Sequence, residues 1–255
     1  MTYHFLFVFA LIFIDFPCLA LDWPQFQGPA RDSTSAETGI LKTWPQNGLK
    51  VLWRAPLGEG FSAISVTSGK LYTMMDQGQD QFVICLDAGS GKEIWRARVD
   101  SRYASGRGNG PRSTPTVHGN LVYTLSAGGM LHALDAGTGR IAWHHDLKKE
   151  FEAAGPDHGF STSPLVEADL VLIEAGGKAN QGILAFHKLN GKLIWSALSD
   201  NPGYSSPTTV NIGGLRQILF FTGNALNSIS PEGTLYWTYP WQTRYDINVA
   251  TPIFV

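Results

Sequence analysis

The sequence predicts an all-β fold, a β-propeller with about four complete four-stranded blades and one strand of a fifth. Three observations carry that expectation. The stretch Ala133-Leu-Asp-Ala-Gly-Thr-Gly-Arg-Ile-Ala-Trp143 has a second strong copy at Cys85–Trp95 and degraded copies at Ala185–Trp195 and Ser228–Trp237. The repeat tryptophans Trp53, Trp95, Trp143, Trp195 and Trp237 are 42, 48, 52 and 42 residues apart, close to the length of a four-stranded blade. A Ser-x-Pro or Ser-Pro step recurs in phase with them, at Ser113-Thr-Pro115, Ser163-Pro164 and Ser206-Pro207, with Thr251-Pro252 as a fourth copy.

Each repeat reads as strand, turn, strand. Asp87 and Asp135 sit where a carboxylate caps a tight turn, and the glycines that follow accept the positive φ such a turn needs. The second strand of the pair then closes on Trp95 or Trp143, and the weaker copies place Trp195 and Trp237 alike. These six residues are therefore assigned structural roles.

The elements follow in order. Residues 1–20 resemble a signal peptide: Phe5–Ile14 is an apolar run too short to span a bilayer, and Cys18-Leu19-Ala20 offers a small residue before a cut. An uncleaved anchor is the alternative, because the leading segment carries His4 but no Lys or Arg. Cleavage would leave Cys85 alone, a small core residue with no disulfide partner. Residues 21–50, beginning Asp22-Trp-Pro-Gln-Phe-Gln-Gly-Pro29, read as a coil or an arm laid over the domain that occupies 51–255. Val51–Trp53 reads as an orphan strand of the last blade.

Four units of four strands follow. They begin near Ala63, Ser113, Thr162 and Ser206 and end near Val99, Asp146, Ala197 and Tyr239. The proline of each Ser-x-Pro step opens an innermost strand, where its missing N–H removes no ladder bond. Thr251–Val255 would start a fifth blade, which predicts a truncated seven- or eight-bladed ring. A four-bladed ring closed by Val51–Trp53 is the alternative.

Composition narrows the function. Charged residues are 16% of the chain, glycines number 28, and the net charge is −2, so no basic field points to nucleic acid or to an anionic membrane. After signal cleavage no membrane span is expected. Polar side chains suited to a ligand gather in the blade-to-blade loops 100–112, 148–160, 198–204 and 240–248. From these, Arg112, His158, Tyr204, Arg244 and Asp246 are the candidate ligand-binding residues of the channel face. Arginine beside tyrosine suits a carboxylate or a sugar, and the competing reading is that such residues only tie blades together. Gly106–Gly110 opens no helix and is a poor phosphate cradle. His144 and His145 are strand neighbours on opposite faces and cannot share one metal.

The Ala-x-Asp-x-x-Thr-Gly-x-x-x-Trp pattern resembles the repeat of pyrroloquinoline-quinone (PQQ)-type propellers, a family holding the quinoprotein alcohol dehydrogenases and non-enzymatic relatives such as BamB. Trp23–Pro29, Gly110–Pro115 and Gly203–Pro207 further resemble exported PQQ-like repeat proteins of the planctomycete-type subgroup. The resemblance implies that each tryptophan packs between blades, and the signal-like N-terminus predicts that the protein is periplasmic or otherwise extracytoplasmic. It offers two functions. One is a non-catalytic binding or scaffold domain for a protein, peptide or glycan, with no cofactor identified, no catalytic residue and no metal. The other is a PQQ-dependent dehydrogenase, which would need quinone and Ca²⁺. This sequence has no adjacent cysteines like those that form a disulfide in many of the dehydrogenases, and no Glu/Asn/Asp set that matches their calcium ligands, so the first is the expectation.

Overall fold

The computed structural model describes residues 21–254, so the signal-peptide expectation for 1–20 falls outside the described residues. Among the described residues, sixteen strands form four antiparallel sheets of four, each a simple meander. The first blade is β1 Ser65–Thr67, β2 Lys70–Gln77, β3 Asp80–Asp87 and β4 Glu93–Ser101. The second is β5 Thr116–His118, β6 Leu121–Leu125, β7 Met130–Asp135 and β8 Ile141–Asp146. The third is β9 Leu165–Glu167, β10 Leu170–Glu174, β11 Ile183–His187 and β12 Leu193–Ala197. The fourth is β13 Thr208–Ile212, β14 Leu215–Phe221, β15 Ala225–Ile229 and β16 Leu235–Pro240.

The repeat turn has one backbone hydrogen-bond pattern in the first three blades and is one residue shorter in the fourth. Asp87 Oδ1 accepts from Ser90 N at 2.8 Å and Ser90 Oγ at 2.6 Å, and Asp135 Oδ1 accepts from Thr138 N and Oγ1 at 2.8 and 2.7 Å. The degraded copies keep an acceptor there by other means: His187 Nδ1 takes Leu189 N, and Ser230 Oγ takes Glu232 N and Thr234 N. A bulge falls at the same place in every third strand, just after the residue that faces the tryptophan. That residue is always small: Cys85, Ala133, Ala185 and Ser228 pair with Trp95, Trp143, Trp195 and Trp237. A larger side chain would push the indole off the sheet.

Each indole then reaches the following blade. Trp95 Nε1 donates to Ala136 O at 3.1 Å, Trp143 Nε1 to Lys188 O at 2.9 Å, and Trp195 Nε1 to Pro231 O at 2.9 Å. Their rings lie against Gly139, Gly191 and Gly233, where an added Cβ would come within 2.6–2.8 Å of ring carbons. Glycine is needed there twice over, since its φ of +73°, +72° and +93° in turn also disfavours any side chain. Buried apolar clusters fill the spaces between the first and second, second and third, and third and fourth sheets. The core is therefore made of blade-to-blade interfaces, each sealed by one tryptophan.

Several expected boundaries move. Val51–Trp53 forms no strand, because no partner strand lies beside it. Trp53 nevertheless donates to Ala88 O at 3.0 Å and stacks on Gly91, as the later tryptophans do on their turns. Residues 251–254 likewise form no strand. The inner strands begin only after Pro115, Pro164 and Pro207, since the preceding residues bond to neighbouring blades instead. Trp237 does not seal an interface: among the described residues it meets no following turn, stays 37% exposed, and donates to Gln217 Oε1 of its own blade. A short helix that the sequence did not suggest, α1 Leu147–Glu150, opens the loop after the second blade. Asp146 accepts from Lys149 N while Glu150 accepts from Asp146 N, a reciprocal cap.

The arm is laid over the inner strands. Trp23 pairs with Val66 of β1 through two backbone bonds of 2.7 and 2.8 Å, and Val117 of β5 donates to Pro24 O at 2.8 Å. The chain then turns at Gln25–Gly28, with the Trp23 ring packed on Gly28, and sends Arg31 among the third and fourth inner strands.

Candidate functional site

The blade-to-blade loops converge on a cleft of about 370 Å³. Three of the five candidates line it together: Arg112, His158 and Tyr204, one from each of three successive loops. Phe26 of the arm, Ile247 and Val249 supply apolar lining, and Ser161, Ser163 and Ser206 supply hydroxyls.

Arg112 is fixed before any ligand arrives. It donates to the carbonyls of Gly108, at 2.7 Å, and Gly110, which curl the glycine-rich loop around it. Its guanidinium also lies over the rings of Tyr103 and Phe61, at 4.8 and 5.6 Å from their centroids. Among the described residues no carboxylate pairs with it. A half-buried cation held only by neutral groups leaves a positive field in the cleft.

His158 and Tyr204 face each other, ring centroids 6.0 Å apart, and the His158 amide donates to the Tyr204 hydroxyl at 3.3 Å. Burial is the main cause that raises the Tyr204 hydroxyl above its usual range, so it stays a neutral donor. The Tyr204 amide donates to Asn248 O, and Asn248 Nδ2 donates to the carbonyls of Thr222 and Trp241. Asn248 thus anchors one wall from the loop after the fourth blade.

Arg244 and Asp246 are not brought into this cleft. Asp246 lines a neighbouring hollow of about 220 Å³ with Tyr204 and Asp157, where its two oxygens accept from Gln242 and Asn201. It acts there as a tie between loops. Arg244 is exposed, with its guanidinium 4.8 Å from the Tyr245 ring centroid.

Two buried groups that the sequence did not single out support the site. Glu174, at the end of β10, accepts from Gly203 N at 2.5 Å, and its other oxygen is buried without a donor. Burial, reinforced by the charge of Asp200 and opposed by the Gly203 amide, pushes this carboxyl up to about 8. In the first blade Met74 stands at the place of Glu174, and the buried acid is Asp76, two residues further along β2, where it accepts from Tyr103 N and, at 2.9 Å, from the amide of Gln81 opposite it. Opposite Glu174 stands Ile183, which has nothing to donate.

Arg31 is the second. It is 3% exposed, with a left-handed φ of +56°. It donates to Pro207 O at 2.7 Å, to Pro164 O, to Thr116 Oγ1 at 3.4 Å and to Gln25 Oε1 at 3.0 Å. All these partners are neutral, and burial alone lowers its pKa to about 9. The sequence signal was thin: one arginine closing a segment whose Trp23, Phe26 and Gly28-Pro29 turn mark it as packed.

The histidine pair also separates as expected. His144 stacks on His132 at 5.6 Å, while His145 bonds Glu150 and the Gly191 carbonyl.

Four-stranded blades joined by tryptophan-to-turn packing, with a cleft built by the loops between them, define a tryptophan-repeat β-propeller. The chain belongs to the PQQ-type repeat family, whose model, described as "Outer membrane protein assembly factor BamB", matches residues 45–106 and 79–252. A quinohemoprotein alcohol dehydrogenase, ADH IIB of Pseudomonas putida, is 34% identical over 140 residues, covering 50% of this chain and 18% of that protein. Among solved structures, the quinohemoprotein alcohol dehydrogenase of Comamonas testosteroni aligns with a TM-score of 0.63 at 19% identity, over 86% of this chain and 41% of its own. A europium-containing methanol dehydrogenase aligns with a TM-score of 0.57 at 16% identity, over 77% and 46%. The chain thus spans less than half the length of these relatives, and at such identities the two structures share its fold.

Quinone-named relatives raise the question of a quinone–calcium pair. Ca²⁺ takes about six to eight oxygens, carboxylates prominent among them. The cleft has no carboxylate in its lining, and Arg112 would repel a divalent cation. No group of three or more His, Cys, Asp or Glu side chains suited to a metal stands together among the described residues. These residues do not fit the pair.

Proposed function

We propose that this propeller is an extracytoplasmic, non-catalytic binding domain that holds a protein, peptide or glycan on its channel face. The observation that carries the reading is the cleft in which Arg112, His158 and Tyr204 meet with no acidic side chain in the lining. A preset guanidinium, a neutral phenol and several serine hydroxyls are donors, so the ligand presents acceptors, and at least one is anionic. The family model's description as an outer membrane assembly factor is compatible with a protein partner.

The test uses the complete protein and an array of acidic peptides and glycans. Arg112→Ala is expected to weaken binding about ten-fold or more, in line with loss of a charge-assisted contact of ~1.5–3 kcal/mol. A large fall in melting temperature with unchanged binding would show that Arg112 only ties its loop. Oxidation of alcohols or sugars by the protein supplied with PQQ and Ca²⁺ would overturn the non-catalytic reading.

A further inference from the structure

The arm does more than cover the inner strands, because Phe26 reaches the cleft that holds Arg112. Between Trp23, fixed on β1, and Arg31, fixed among Thr116, Pro164 and Pro207, the segment is pinned at both ends. Two consecutive turns, Gln25–Gly28 and Gly28–Arg31, join these anchors, and the first carries Phe26. The Phe26 ring therefore stands as a fixed wall beside Ile247 and Val249, on a cleft whose only charged lining residue, His158 aside, is Arg112.

We infer that the arm is a wall of the binding site, with Phe26 a specificity-determining residue and Arg31 the positioning residue that holds it. The inference rests on the cleft being the binding site and names what the cleft selects. An apolar wall facing an unpaired guanidinium suits one chemical unit: an apolar or aromatic residue bearing a free carboxylate, as at the C-terminus of a peptide. The carboxylate meets Arg112 and the Tyr204 hydroxyl, and the side chain packs on Phe26. Arg31 itself is saturated by neutral oxygens, so its role is to hold the arm and not to take the ligand's charge.

The probes are N-acetyl-phenylalanine, its amide and N-acetyl-glycine, titrated into the complete protein and its Phe26→Ala and Arg31→Met variants. Native protein is expected to bind N-acetyl-phenylalanine about ten-fold more tightly than either of the other two, the ratio for one well-placed contact. Phe26→Ala is expected to abolish the preference for phenylalanine over glycine while keeping that for carboxylate over amide. Arg31→Met is expected to give the same loss of selectivity and to speed hydrogen exchange of the Trp23 and Val117 amides. A Phe26→Ala protein that still discriminates phenylalanine from glycine overturns the inference, as does unchanged exchange at Val117 in Arg31→Met. If native protein binds both carboxylates equally, the arm's role falls and the binding face stands. If it binds none of the three, the binding face falls, and the inference with it.

Discussion

Glu174 gives one oxygen to the amide of Gly203 and buries the other without a donor. Gly203 precedes Tyr204, so an acid held above its usual range lies directly behind one wall of the cleft. The carboxyl holds its proton in the folded state up to about pH 8, whereas the unfolded chain releases it near 4.5. The stability this provides is complete below pH 4.5 and falls as pH rises toward 8. Glu174→Gln keeps an acceptor for Gly203 and removes the titration. Its melting temperature is expected to exceed that of the native protein at pH 8–9 and to vary less across this range, as thermal unfolding in a pH series will show.

His132 acts in the opposite direction. Burial, with the neighbouring His144 adding to it, lowers this imidazole to about 4 from a usual 6.5. A depressed histidine supports the fold above pH 6.5, and that support is lost as pH falls through 4. His132→Phe keeps a ring against His144 and puts an apolar edge where Nδ1 has no partner. The variant is expected to lose less stability between pH 6.5 and pH 4, measured by denaturant unfolding at each pH.

The tryptophans are not equivalent. Trp143 is 8% exposed and is packed on Gly191 between two blades, so Trp143→Ala is expected to cost about 3–5 kcal/mol. In this chain Trp237 is 37% exposed and bonds only its own blade. Trp237→Ala in the same 255-residue chain is expected to cost about 1 kcal/mol, the ordinary range for a partly exposed site. Equal losses in the two variants would show that the indoles stabilise within a blade and not across blades.

The blades were legible because their signals are local and repeated. An Asp cap, a turn glycine and a tryptophan recur at fixed offsets, and every copy constrains the others. The worn copies remained legible for the same reason, since His187 and Ser230 supply the acceptor that Asp87 and Asp135 supply elsewhere. Strand ends were less legible at Ser113–Pro115 and Ser206–Pro207, where hydroxyls and carbonyls turn to a neighbouring blade and leave the ladder. Three candidate residues, Arg112, His158 and Tyr204, were found by loop position alone. Arg244 and Asp246 share that loop logic, but the turn at 244–246, with left-handed Tyr245 and Asp246, directs them elsewhere. Arg31 and Glu174 were missed because their roles depend on contacts far along the chain, 176 residues away in the bond from Arg31 to Pro207.

Blades that touch only their neighbours form a one-dimensional stack, and such stacks can melt a unit at a time. The arm departs from that scheme, since Trp23, Pro24 and Arg31 bond in succession to inner strands β1 and β5 and to the prolines that lead into β9 and β13. It works as a bolt through the stack, charging any single blade that opens with the loss of bonds held by the others. The number of transitions seen on heating is thereby set by some ten residues at the front of the chain, and not only by the blades themselves.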